Sequence, residues 1–134
     1  MAPEVVLRKL SYMEKLLRDL MPFAGVSLAQ VQDDHYTIER IFELLATVAS
    51  DLIFHLLTEG DHHPDSYRSA FRMAAEQGLL PVELGDRLAQ AAAMRNILVY
   101  LYEDIDYTIL HSSIQPAIDD FGAFIAHLSD QAKR

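Results

Sequence analysis

The stretch Ile38-Glu39-Arg40-Ile41-Phe42-Glu43-Leu44-Leu45-Ala46-Thr47-Val48-Ala49-Ser50-Asp51-Leu52-Ile53-Phe54-His55-Leu56 decides the fold class. Its apolar residues at 38, 41, 42, 45, 48, 49, 52, 53 and 56 recur every three or four positions, the period of a helix with one face in a core. Ser27 offers an N-cap upstream and Glu59-Gly60 a stop downstream, so the spacing predicts one long helix between them. That helix has about thirty residues and a length near 45 Å at 1.5 Å per residue, enough to span the molecule.

The same period holds on both sides. Val6, Leu10, Met13, Leu17 and Leu20 form a first stripe that ends near Pro22 and Gly25. A polar loop, Asp61 to Asp65, leads to a short helix with Tyr67, Phe71 and Ala74 inward, closing at Gly78. Pro81 opens a fourth helix whose seam reads Leu84, Leu88, Ala91, Arg95, Leu98, Tyr102. The last stripe runs Tyr107, Leu110, Ile114, Ile118, Phe121, Ile125, Leu128, and Pro116 is expected to bend or split it near Ser112. Strand-like alternation is absent. The expectation is an all-α antiparallel bundle of about five helices in a single domain, residues 1–134.

Composition narrows the function. The chain has no cysteine, which removes disulfides and thiolate metal sites. No uncharged run reaches the roughly 18 residues of a membrane span, and residues 1–20 are dotted with charge, so a cytoplasmic protein without a membrane partner is expected. The net charge of −9 repels nucleic acid as a whole. No DNA is expected as a partner, and any RNA contact must be local and transient.

Arg95 is the residue that stands out. A guanidinium in an apolar seam is costly unless an anion answers it. By spacing alone the ordinary reading is that Arg95 snorkels to the edge, or pairs with a carboxylate such as Glu43 or Asp51. The adjoining text, Arg95-Asn96-Ile97-Leu98-Val99-Tyr100-Leu101-Tyr102-Glu103-Asp104-Ile105-Asp106, resembles the Arg-Asn-x-Leu-Val-His-x-Tyr-x-x-Ile-Asp pattern of HepT-like proteins, a branch of the HEPN superfamily. Pro64-Asp65-Ser66-Tyr67-Arg68-Ser69-Ala70-Phe71 is similar to a second segment of that family, and Gly78-Leu79-Leu80-Pro81 to its following turn.

The resemblance implies a homodimeric toxin, a metal-independent endoribonuclease held in check by a minimal nucleotidyltransferase antitoxin (MNT). It implies Arg95 as the group that binds the scissile phosphate, Asn96 in support, and Tyr102 as the tyrosine that the partner modifies with AMP. No metal and no cofactor are implied. The family's acid–base histidine falls on Tyr100 here. A phenol, with a reference pKa near 10, is a poor base at neutral pH, so ribonuclease activity is expected to be weak or lost. The alternative is a catalytically inactive HEPN dimer acting as a protein- or nucleotide-binding module. A plain helical scaffold with a structural Arg95 is the third reading.

Helical geometry bears on the dimer. Tyr102 is seven residues from Arg95 and shares its face, whereas Tyr100 is about 140° around the helix at 100° per residue. Two copies of this helix facing each other bring both faces to one cleft, so an interface including residues 91 to 102 is expected. The other titratable groups read as structural. His62 and His63 lack the spacing of a metal pair, His55 is expected to be a satisfied edge residue, and Arg72 is expected to pair with Glu76 one turn on. Asp104 and Asp106 are expected to break or cap the helix junction.

Overall fold

Each apolar stripe becomes a helix, and each helix starts or stops where the local chemistry allows it. α1 (Pro3–Leu20) begins on a proline, whose missing N–H would be unpaired there in any residue, and buries Val6, Leu10, Met13, Leu16, Leu17 and Leu20. A 3-10 turn, Met21–Phe23, follows, and Gly25 at φ 82 reverses the chain in a conformation that costs other residues strain. α2 (Leu28–Asp33) is capped by Ser27, whose hydroxyl accepts from the Gln30 amide at 3.1 Å. α3 (His35–Glu59), α4 (Tyr67–Glu76), α5 (Val82–Tyr100) and α6 (Tyr107–Ala132) complete the chain. This computed structural model describes residues 2–100 and 105–132, without the side chains of Val99, Tyr100 and Ala132. Among the described residues there is no strand.

Among those residues the bundle has six α-helices where the periodicity suggests five. Ser27 caps as expected, but the long helix breaks at Asp34, which has φ −104 and ψ 18. Aspartate competes with the helical backbone for hydrogen bonds and favours such junctions. The break lets α2 lie against α6 while α3 runs on between α1, α4 and α5. Nor does Pro116 split the last helix, since α6 stays helical through it. The ring removes the amide that would bond to the Ser112 carbonyl, at a cost of about 3 kcal/mol. Leu110, Ile114, Phe121, Phe124 and Leu128 are all at most 2% exposed along the same helix. At about 1.5–3 kcal/mol per fully buried side chain, their packing outweighs one proline.

α3 is the central element. By length and composition it is apolar enough to cross a membrane, which the count of unbroken apolar residues misses. Half of that stretch is buried inside the bundle, as in the core helix of a helical domain. Its buried Ser50 is satisfied internally, donating to the Ala46 carbonyl at 2.6 Å.

α4 and α5 approach closely because of Gly85. A Cβ there would lie 2.8 Å from the Ala75 Cβ and 3.0 Å from the Phe71 carbonyl oxygen. Phe71 is fully buried and meets Phe124 of α6 edge-on, with ring centroids 6.3 Å apart. With the end of α4 held against the start of α5, the first turn of α4 lies along the C-terminal half of α5.

Candidate functional site

Arg95 lies near the end of α5, between the buried Leu88 and Leu98 of the seam. It is half-buried, as expected for a mid-seam position, but it pairs with no carboxylate among the described residues. Its guanidinium carbon stands 5.6 Å from the centre of the Tyr67 ring, a cation–π geometry, and Nη1 donates to Asn96 Oδ1 at 3.3 Å. The Nε–H is buried and has no acceptor among the described residues. Leaving such a donor unmet costs about 1–3 kcal/mol, so the arrangement is not what stability alone would select.

Neither carboxylate expected to answer Arg95 pairs with it. Glu43 pairs with Arg40 at 3.2 Å. Asp51 Oδ1 accepts from the Tyr67 hydroxyl at 3.5 Å, a long bond that leaves the carboxylate largely free. Tyr67 is therefore the residue that sequence reasoning misses. Its spacing assigns it to the core, yet it is half-buried at the first position of α4 and carries Arg95 on its face. Phe54 braces it edge-on, with centroids 5.5 Å apart. The signal is its phenol, since a tyrosine near a core asks for a polar partner in a way a phenylalanine does not.

Beside this stack a cavity of about 430 Å³ opens between α1, α3 and α4, lined by Lys9, Asp51, Phe54, His55 and Tyr67. His55 is exposed here and makes no hydrogen bond among the described residues, so it is not the satisfied edge residue expected. Asn96 is exposed next to Arg95. Tyr100 is the last residue of α5, but its side chain, and the whole of Tyr102 and Asp104, lie outside the described residues.

The remaining sequence candidates are structural. Arg72 faces Asp86 at 3.9 Å rather than Glu76, because α4 packs across the start of α5. His63 Nε2 and Asp61 Oδ1 stand 3.1 Å apart in the loop, and no group of three potential metal ligands occurs among the described residues. His111 bonds to the Val26 carbonyl at 2.7 Å and ties α6 to the loop before α2. Asp106 caps α6 as expected, accepting from the Thr108 amide at 2.9 Å.

A half-buried arginine supported by a ring, with a donor unmet among the described residues, is able to take an anion. The sequence model of the ribonuclease HepT-like family matches residues 13–128 of this chain. The chain belongs to that HepT-like family. It is 32% identical to the mRNA nuclease HepT of Shewanella oneidensis over 62 residues, 46% of this chain and 47% of that protein. It is 25% identical to the tRNA nuclease HepT of Aphanizomenon flos-aquae over 95% of this chain and 89% of that protein. In fold it resembles the tri-AMPylated Shewanella oneidensis HEPN toxin in complex with MNT antitoxin, with a TM-score of 0.84 at 20% identity over 94% of this chain and 97% of that one.

Proposed function

We propose that this protein is the toxin of a toxin–antitoxin pair, a cytoplasmic homodimer whose partner is a minimal nucleotidyltransferase and whose target is RNA. Arg95 holds the scissile phosphate, Asn96 supports it, and Tyr102 accepts AMP from the partner. Tyr100 stands where proton transfer is needed and leaves cleavage weak or absent. The observation that carries this reading is the Arg95 side chain itself. It is half-buried and stacked on Tyr67, with one N–H unmet and no carboxylate paired to it among the described residues, so it is set for an anion. A phosphate oxygen is the natural acceptor, since guanidinium pairs with phosphate through short charge-assisted hydrogen bonds.

The relatives' names support the rest. Two are nucleases acting on mRNA and tRNA, and the structural neighbour is an AMP-carrying toxin bound to its antitoxin. Tyr100 favours the second reading, a dimer that keeps the partner surface and binds protein or nucleotide without cutting RNA.

The test is direct. Incubation with a cognate minimal nucleotidyltransferase and ATP is expected to place AMP on the Tyr102 phenol, with loss of pyrophosphate. Peptide mass spectrometry locates the adduct. A Tyr102 peptide that stays unmodified, with AMP elsewhere or nowhere, defeats the assignment.

A further inference from the structure

We propose that the groove between α1 and α3 is a track for single-stranded RNA, with Lys9 and Arg8 as phosphate contacts and Tyr12 as a stacking platform. This rests on the nuclease-family reading above and assigns the substrate path that leads to Arg95. Two cavities meet in that groove. The first, of about 510 Å³, is lined by Val5, Arg8, Lys9, Tyr12 and Val48. The second is the 430 Å³ cavity next to the Arg95–Tyr67 stack, and Lys9 lines both.

The charge pattern selects the ligand. The chain as a whole is at −9, yet Arg8 and Lys9, like Arg18 and Arg68 elsewhere, form no ion pair among the described residues, whereas Lys15, Arg40, Arg72 and Arg87 each face a carboxylate. Arg8 and Lys9 are adjacent and both line this groove, whose far cavity is walled by Tyr67, the ring that supports the Arg95 guanidinium. The groove's described walls carry a single carboxylate, Asp51, which the Tyr67 hydroxyl meets at 3.5 Å. His55 adds an exposed imidazole on the same wall.

The spacing selects a strand over a compact anion. Arg8, Lys9 and Tyr12 follow Val5 by three, four and seven residues, so they share one face of α1. Tyr12 is 40% exposed, unusual for a ring on a helix otherwise buried along its apolar stripe. An aromatic face beside cations in a groove is how single strands are held without sequence readout. A protein helix laid in the same groove would require a row of apolar anchors, and the walls offer Val5 and Val48 between charged groups.

Fluorescence anisotropy with a labelled, uncleavable 2′-O-methyl oligoribonucleotide tests the track. The double variant Arg8→Glu, Lys9→Glu is expected to weaken binding at least tenfold and to lower the salt slope by about 0.7 for each phosphate no longer neutralised. Tyr12→Ala is expected to cost roughly tenfold, and Tyr12→Phe to restore most of it. If charge reversal perturbs folding, judged by circular dichroism, Arg8→Gln with Lys9→Gln gives the same reading with a smaller change. Affinity unaffected by these substitutions, or wild type that does not bind the oligonucleotide, overturns the track. So does a change of oligomeric state by light scattering with RNA affinity retained, which makes the groove an interface between copies. Because the probe cannot be cut, groove-dependent binding by a protein that never cleaves ordinary RNA leaves the track standing and removes only the nuclease.

Discussion

Tyr100→His is expected to raise cleavage of unstructured RNA by about 10²–10⁴-fold, the usual contribution of a positioned acid–base group. RNA cleavage without metal needs a base to take the 2′-hydroxyl proton as that oxygen attacks phosphorus, and an acid to protonate the departing 5′ oxygen. An imidazole exchanges protons near neutrality, and a phenol does not. Adding Arg95→Ala to this variant is expected to abolish the gained activity, because the phosphate then has no guanidinium to hold it. Cleavage is followed on a fluorophore–quencher RNA with metal chelated. An inert Tyr100→His protein that still binds RNA supports the binding-module reading, while full activity in the Arg95→Ala background removes Arg95 from the chemistry.

Gly85→Leu is expected to destabilise the protein by about 1–3 kcal/mol, the typical cost of forcing atoms into a packed core. Two effects oppose each other. Leucine is a better helix former than glycine by somewhat under 1 kcal/mol. Against that, even a Cβ would sit 2.8 Å from Ala75 Cβ and 3.0 Å from a backbone oxygen, and neither neighbour is a flexible side-chain tip that could swing away. α4 must move as a unit. The midpoint of urea unfolding reads the cost, and a midpoint at or above wild type shows that α4 yields freely. Tyr67 rides on α4 and Arg95 on α5, so the same substitution is also expected to loosen the cation–π stack.

The fold is legible because one physical regularity, apolar residues every three to four positions, covers nearly the whole chain. What escapes it are two effects of tertiary packing. The break at Asp34 separates helices whose apolar stripes run on in register, so periodicity cannot mark it. Pro116 carries a strong local signal, and the buried stripe around it overrides that signal. At the site, Arg95 can be singled out as a charge where the seam wants an apolar residue, and the partial burial agrees. Its neighbours cannot. Asp51 and Glu43 sit at plausible helical positions, and only the packing of Tyr67 against Phe54 shows that a ring, not a carboxylate, meets the guanidinium. Likewise Lys9 and His55 are far apart in sequence, and nothing in either helix taken alone places them on one cavity wall.

The buried Nε–H of Arg95 separates two costs that usually fall together. A surface arginine sheds its water only when a ligand arrives, and the strength of the encounter is reduced by that step. Here that one N–H is already out of solvent once the bundle has formed, while the rest of the guanidinium stays part-exposed. An oxyanion able to reach it would meet a donor that has already lost its water, and the corresponding loss falls on the stability of the free protein instead. Lysine at this position would keep the charge but has neither the secondary nitrogen nor the flat face that Tyr67 supports, so charge alone cannot reproduce the arrangement.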